Sequence, residues 1–230
     1  MVEHTLKAHG DDLSHLAADV ARLGGLAEAE VADAITAIAR RDVALAQSVI
    51  GRDEQLDALQ ADIERAAIRL IGIRQPMAHD LRRAVSAMKV SSNIERCGDL
   101  AKNIAKRAIL IAESEPVTPL TRSIERMGRL VAGRLKDVLD AYSGGDVERA
   151  VSVWARDEDV DEHYDSLFRE LLTYMMGDPR MITTGAHMLF VAKNLERIGD
   201  HATNIAEIVH YEIVGREISE PRPKLDFFPS

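Results

Sequence analysis

The sequence has few of the residues on which several protein classes depend. Cys97 is the only cysteine in 230 residues, which excludes a disulfide within the chain and favours a reducing compartment. Aromatic residues make up 4% of the chain, so a core of Ala, Leu, Ile and Val in close-packed helices is favoured. No apolar run approaches the ~20 residues that span a bilayer, and residues 1–16 lack the apolar core of a signal peptide. We expect a cytoplasmic protein without direct membrane insertion.

Excess positive charge is also missing. Acidic residues outnumber Lys and Arg by 38 to 29, and the net charge is −9. A surface of this sign repels nucleic acid, and no basic cluster is dense enough to offset it. We therefore expect no nucleic-acid partner.

Helical periodicity and helix-ending residues divide the chain into six helices. Apolar residues recur every three or four positions, and no stretch has the short alternating pattern typical of strands. Pro76 and Pro179 each separate two helices, and Gly144-Gly145 ends another. The helices are predicted at about 12–40, 45–74, 77–113, 120–142, 146–176 and 179–215.

Two segments of the sequence occur twice. Residues 42–57 match residues 146–161 with nine of sixteen positions identical, and residues 93–104 match residues 194–205 with eight of twelve identical. Two ordered matches indicate a tandem duplication. The predicted fold is all-α, a tandem pseudo-symmetric repeat of two three-helix bundles. The first repeat is predicted at 1–114, a linker at 115–119, the second repeat at 120–216 and a flexible tail at 217–230.

The residues that both repeats retain are mostly polar, and carboxylates four residues apart share one helix face. Counting along the helices also places the carboxylates on core-facing stripes. One contains Leu81, Val85, Met88, Ser92, Glu95 and Asp99, and the other contains Ile182, Gly185, Leu189, Ala192 and Glu196. Several carboxylates on one face repel one another unless a cation lies among them, and oxygen donors suit hard metal ions. The predicted metal ligands are Asp53, Asp57, Glu95, Asp99 and Asn103 in the first repeat, and Asp157, Asp161, Glu196, Asp200 and Asn204 in the second.

Two other interpretations of the carboxylates stay open at this stage. They could form a solvated charged face, or the nearby Arg52, Arg96, Arg156 and Arg197 could neutralise them instead of metal. Gly98 and Gly199 lie inside predicted helices, where close helix packing is the favoured explanation.

Motifs of catalysis are absent from the sequence. It contains no P-loop, dinucleotide-binding fingerprint or nucleophile elbow, so we expect a protein that is not an enzyme. The alternatives are a carboxylate-bridged metalloenzyme and a metal-free helical scaffold.

The duplicated motif also resembles a known family. The pattern N-[IL]-E-R-x-G-D-x-A-x-N-I at 93–104 and 194–205, with the segments HDLRRAVSAMKVSSNIERCGD and LFVAKNLERIGDHATNIAE, is similar to the PhoU family. The resemblance covers nearly the whole chain. The acidic motifs of the family correspond here to Asp53/Asp57, Glu95/Asp99, Asp157/Asp161 and Glu196/Asp200, and all four pairs are intact.

The resemblance implies a biological role that the residues alone do not. It implies a cytoplasmic, homodimeric regulator of phosphate uptake that represses the phosphate-starvation response. Its expected partners are the ATPase subunit of a phosphate ABC transporter and a sensor histidine kinase, through which it would be held at the inner face of the membrane. The expected cofactors are metal ions: iron, manganese, magnesium or zinc.

Overall fold

The computed structural model describes residues 2–223 of the chain, with the side chains of residues 10–223. This part of the chain consists of helices, turns and connecting segments and contains no strand. The helices are α1 (Val2–Arg40), α2 (Val43–Arg74), α3 (His79–Ala112), α4 (Thr118–Gly144), α5 (Val147–Ala155), α6 (Glu158–Gly177) and α7 (Ile182–Val214), with a 3₁₀ turn at Pro179–Met181 before α7.

Most helix ends lie close to the predicted positions because local chemistry determines them, whereas α1 begins at Val2, about ten residues before the predicted start. The carboxylate of Asp42 accepts a hydrogen bond from the backbone N–H of Leu45, and Asp146 caps α5 in the same way. Gly145 and Gly215 follow α4 and α7 with φ of 63° and 79°, the left-handed geometry in which glycine is favoured.

The last helix of each repeat, α3 or α7, lies at the centre of the molecule. In the first repeat α3 packs against α1 and α2, and in the second α7 packs against α4, α5 and α6. The two repeats join where α3 packs along α7 and α1 packs along α4. The predicted all-α architecture of two helical repeats is confirmed. Within residues 2–223, no helix combines the length and apolar character that crossing a membrane requires.

One predicted helix is interrupted. The stretch at 146–176 was expected to be continuous, but it is divided into α5 and α6 by a turn at Arg156 and Asp157. The buried Arg134 of α4 explains the interruption, because its guanidinium donates to the carbonyls of Val153 and Arg156. In the first repeat the same position along the chain holds Glu30, which has no guanidinium, and α2 is unbroken.

Part of the segment predicted as a flexible tail contacts the helices. Residues 217–223 include Ile218, which packs against the core, and Arg222, which forms ion pairs with α7 and with Asp157. Residues 224–230 of that predicted tail lie outside the described part of the chain.

Two glycines of α4 should respond in opposite directions to a methyl group. A Cβ on Gly128 would lie 2.8 Å from Cγ1 of Ile35 on α1, whereas a Cβ on Gly133 would meet no atom within 4 Å. We expect Gly128→Ala to lower the free energy of unfolding by about 1–3 kcal/mol through overpacking. Gly133→Ala should raise it by about 0.5–1 kcal/mol through helix propensity. Urea denaturation measures both, and a stabilising Gly128→Ala would show that α1 and α4 are not held in close contact.

Candidate metal centre

The first acidic cluster consists of Glu30, Asp53, Asp57, Glu95 and Asp99, where α1, α2 and α3 meet. Asp53 is 4% exposed and Glu30 is 2% exposed, so both are buried. The ammonium of Lys102 donates to Asp53 Oδ2 and lies 3.6 Å from Asp99 Oδ1. Lys102 is therefore the internal cation of this cluster, and contact with Asp53 raises its pKa.

The first acidic cluster has more negative charge than its lysine neutralises. The buried oxygens Asp53 Oδ1 and Glu30 Oε2 have no hydrogen-bond partner among the described residues. Burial and the neighbouring Asp53 raise the pKa of Glu30 to about 7. Burial also raises the pKa of Asp57 and of Glu95, and the negative charge of nearby carboxylates adds to both increases. A bound cation would pair with the unsatisfied oxygens and offset the repulsion between the crowded carboxylates.

The second acidic cluster consists of Asp157, Asp200 and Asn204, joined by Arg222. Arg222 Nε lies 2.6 Å from Asp157 Oδ2, its Nη2 lies 2.7 Å from Asp200 Oδ1, and its Nη1 donates to Asn204 Oδ1 at 3.1 Å. Thr203 donates to Asp157 Oδ1 at 2.6 Å. Both oxygens of Asp157 are thus hydrogen-bonded. Asp53 is equally buried, but one of its oxygens has no partner among the described residues.

Arg134 is the second cation of this cluster. Its side chain is 2% exposed, and its Nη2 lies 3.7 Å from Asp157 Oδ1. Burial lowers the pKa of Arg134, with Asp157 acting in the opposite direction. Its guanidinium donates to the carbonyls at the break between α5 and α6 and to Thr203 Oγ1 at 3.4 Å.

The other predicted ligands are placed less centrally. Glu196 pairs with Lys193 at 2.7 Å, Asp161 is half-buried, and Asn103 is exposed. Within residues 10–223, no group of three or more His, Cys, Asp or Glu side chains is arranged to hold a metal ion. The prediction of metal ligands therefore stays a prediction. The first acidic cluster has two buried oxygens without a partner among the described residues, Asp53 Oδ1 and Glu30 Oε2, and in the second repeat Glu196 Oε2 is in the same state. The oxygens of Asp157, in contrast, are already engaged by Arg222 and Thr203.

The predicted core-facing stripe on α3 is wrong in register. Leu81 and Ser92 are exposed, while Val85, Met88, Glu95 and Asp99 are half-buried. The buried stripe lies beside it and includes Ala84, Ala87, Val90, Ile94 and Cys97. On α7, Ile182 is likewise exposed and Glu196 is half-buried. The α3 and α7 carboxylates therefore line the edge of the core, and the buried carboxyl groups belong to Glu30, Asp53 and Asp157.

The arginines predicted to neutralise the carboxylates have mostly other partners. Arg52 pairs with Asp33 at 2.5 Å, and Arg156 lies 3.9 Å from Asp137. Arg96 alone among those with a described ion pair contacts the predicted ligands, at 3.5 Å from Glu95 and 3.3 Å from Asp99. Arg96 is thus an exposed cation at the edge of the first cluster, and the cations beside the buried aspartates are Lys102, Arg134 and Arg222.

Sequence reasoning missed Glu30, Lys102, Arg134 and Arg222. A signal for the first three exists in the repeat. Extending the offset of 104 residues between Asp42 and Asp146 pairs Glu30 with Arg134, and the offset of 101 between Asn93 and Asn194 pairs Lys102 with Thr203. The two repeats therefore differ in charge at the positions that contact the buried aspartate. Arg222 lies beyond the second repeat and has no such signal.

Gly98 and Gly199 occupy equivalent places beside the clusters. A Cβ on Gly98 would lie 2.9 Å from Cδ1 of Leu56 and 3.3 Å from Glu30 Oε2, and a Cβ on Gly199 would lie 3.2 Å from Val160. The close helix packing expected at these glycines is confirmed. It brings α2 against α3 and α6 against α7.

The fold and the duplicated clusters define a class of helical protein made of two carboxylate-bearing repeats. The family model "PhoU domain" matches residues 20–108 and 124–209. A Caulobacter vibrioides protein named phosphate-specific transport system accessory protein PhoU homolog is 66% identical over 226 residues, which cover 98% of each chain. The crystal structure of PhoU from Pseudomonas aeruginosa has a TM-score of 0.84 at 37% identity, covering 90% of this chain and 99% of that one. The structure of a phosphate transport system regulatory protein PhoU from Streptococcus pneumoniae has a TM-score of 0.85 at 29% identity, covering 92% and 100%. The chain belongs to the PhoU family.

Removal of the buried guanidinium should destabilise the second repeat. Arg134→Met leaves the carbonyls of Val153 and Arg156 without their donor and removes a cation beside Asp157. We expect the free energy of unfolding to fall by about 3–5 kcal/mol. Arg129→Met on the same helix is the control, because Arg129 is exposed and pairs only with Glu125 in a described ion pair, worth less than about 1 kcal/mol. Urea denaturation compares the two, and equal small losses would refute the importance of Arg134.

Glu30 should make the stability of the protein decrease as pH rises. In the unfolded chain this carboxyl ionises near pH 4.5, whereas in the folded protein its pKa is about 7. Because the folded state retains the proton longer, stability falls as pH rises between these values, and the loss is complete above pH 7. Glu30→Gln should remove this loss and raise stability well above pH 7 by up to about 3 kcal/mol. The exposed Glu54→Gln is the control, and unchanged pH dependence in Glu30→Gln would contradict the assignment.

Proposed function

We propose that this chain regulates phosphate uptake and the phosphate-starvation response in the cytoplasm. It acts as a metal-binding adaptor between the ATPase subunit of a phosphate ABC transporter and a sensor histidine kinase, and it represses the response when phosphate is plentiful. It functions as a homodimer. The regulatory part is supported by similarity over 97% or more of this chain to proteins named phosphate-specific transport system accessory proteins.

One observation carries the metal-binding part of the proposal. The first acidic cluster contains two buried carboxylate oxygens without a partner, Asp53 Oδ1 and Glu30 Oε2, beside the half-exposed Asp99 and the exposed Asp57. A cation entering from the side of Asp57 would reach these oxygens once Lys102 moves outward, and Lys102 is already 26% exposed. Binding would replace one internal positive charge with a divalent one.

The donor atoms indicate which metals this cluster would hold. All of its ligands are carboxylate oxygens, which suit Mg²⁺, Mn²⁺ and iron better than zinc, whose structural sites use mostly Cys and His. Metal loading would change the charge of a surface formed by α2 and α3. A partner that contacts this surface would then bind the loaded and unloaded forms with different affinity.

The adaptor part is supported by exposed apolar residues at corresponding turns of the two repeats. Ile73 and Met77 flank Pro76 and are 68% and 82% exposed. Met176 and Ile182 flank Pro179 and are 85% and 52% exposed. Large apolar side chains that are exposed to solvent at both turns are typical of surfaces that bind other proteins.

Metal binding should depend on the first acidic cluster. We expect purified protein to bind Mn²⁺ in calorimetric titration, and Asp57→Asn to weaken this binding at least tenfold by removing one carboxylate ligand. Asp62→Asn is the matched control, since Asp62 lies on the same helix and contacts only the exposed Arg65 in a described ion pair. Equal Mn²⁺ binding by all three proteins would contradict the assignment of the cluster.

The same variants test the regulatory role in cells. A reporter of the phosphate-starvation response should become active in high phosphate when the gene is deleted. It should stay active with Asp57→Asn and be repressed again with Asp62→Asn. A reporter that stays repressed after deletion would contradict the proposed negative regulation. Repression by Asp57→Asn would separate regulation from metal binding.

A further inference from the structure

The segment 216–223, named here the strap, runs back along α7 towards the second acidic cluster. Asp200 lies about 21 Å along the helix from Val214, the last residue of α7. The eight residues from Val214 to Arg222 can span up to about 26–29 Å, so the strap is long enough to bring the Arg222 side chain to Asp200. Pro221 and Pro223 flank Arg222 and favour extended backbone at this point.

Arg222 binds the second acidic cluster as a ligand would. Each of its three nitrogens makes a contact of 2.6–3.1 Å with a different residue, namely Asp157, Asp200 and Asn204. Its side chain is 21% exposed, so most of the guanidinium is removed from water. A planar fork that meets two carboxylates is a strong, charge-assisted arrangement. The guanidinium therefore occupies the oxygens that the sequence pattern assigns to a metal ion.

The contacts of the strap are otherwise sparse. Ile218 packs against the core, and His210 Nδ1 lies 3.0 Å from the carbonyl oxygen of Arg216. A cavity of about 450 Å³ lies between the strap residues Glu217 and Glu220 and the side chains of Trp154 and Tyr211. Arg222 therefore supplies the main polar attachment of the strap, and a change at this residue alone should release it.

We propose that the strap is a built-in guanidinium ligand that closes the second acidic cluster to divalent cations. The two repeats are then not equivalent: added cations load the first cluster, where Glu30 and Asp53 have free oxygens, and reach the second only when Arg222 leaves. Cation loading of the first cluster rests on the proposed function. Closure of the second cluster by the strap rests on the contacts of Arg222 alone.

Two measurements on the full chain test the strap. The first is hydrogen exchange of residues 216–223, and the second is the stoichiometry of Mn²⁺ binding by calorimetry. We expect Arg222→Gln to speed amide exchange in the strap at least tenfold. It should also add one Mn²⁺ site at least tenfold tighter than any second site of the unaltered protein. Arg216→Gln is the matched control, because it removes the same charge from an exposed position of the same segment. It should change neither measurement.

The outcomes separate the strap from the proposed function. If the unaltered protein binds no Mn²⁺ but Arg222→Gln gains one site, the strap is supported and the metal-binding part of the proposed function fails. Two equal Mn²⁺ sites in the unaltered protein would overturn the strap as a closing device. Unchanged exchange in Arg222→Gln would do the same, and so would faster exchange without a new site, because Arg134 alone would then exclude the cation.

Discussion

In each repeat one aspartate is buried against the central helix, α3 or α7, and the need to neutralise its charge determines the contacts around it. Asp53 and Asp157 are each 4% exposed, close to the packed glycines Gly98 and Gly199. A carboxylate in such surroundings costs several kcal/mol unless a cation or hydrogen-bond donors accompany it. The chain must therefore supply positive charge at two equivalent places, and it does so with different residues.

The two solutions have different structural consequences. In the first repeat Lys102 reaches Asp53 from α3, Glu30 retains its proton to about pH 7, and α2 continues as one helix. In the second repeat Arg134 approaches Asp157 from α4 and also captures backbone carbonyls, which breaks the corresponding helix into α5 and α6. Pseudo-symmetry of the backbone thus coexists with an acidic residue, Glu30, in one repeat and a basic residue, Arg134, at the equivalent position of the other.

Much of the fold follows from local sequence signals, whereas the site depends on contacts that such signals do not contain. Prolines, caps and glycines place most helix ends, and the two matched segments reveal the duplication. The register on α3 was misjudged because a helical period defines a face but not which edge of that face the neighbouring helices cover. Arginines inside the motif were expected to neutralise the carboxylates, but long side chains reach other helices, as Arg52 does with Asp33. Arg222 lies in a segment whose composition indicates only flexibility.

Retention of polar residues by both repeats therefore has two physical explanations in one molecule. In the second acidic cluster Asp157, Asp200 and Asn204 hold the guanidinium of Arg222, so an acidic motif can be maintained as the receptor of an internal cation. In the first cluster Asp53 Oδ1 and Glu30 Oε2 have no such partner among the described residues, which is why this cluster is the one proposed to take an external cation. Because an ion and the strap would compete for the same oxygens, each must weaken the binding of the other by the same factor. Identical motifs in the two repeats can thus differ in cation affinity through residues that lie outside the motif.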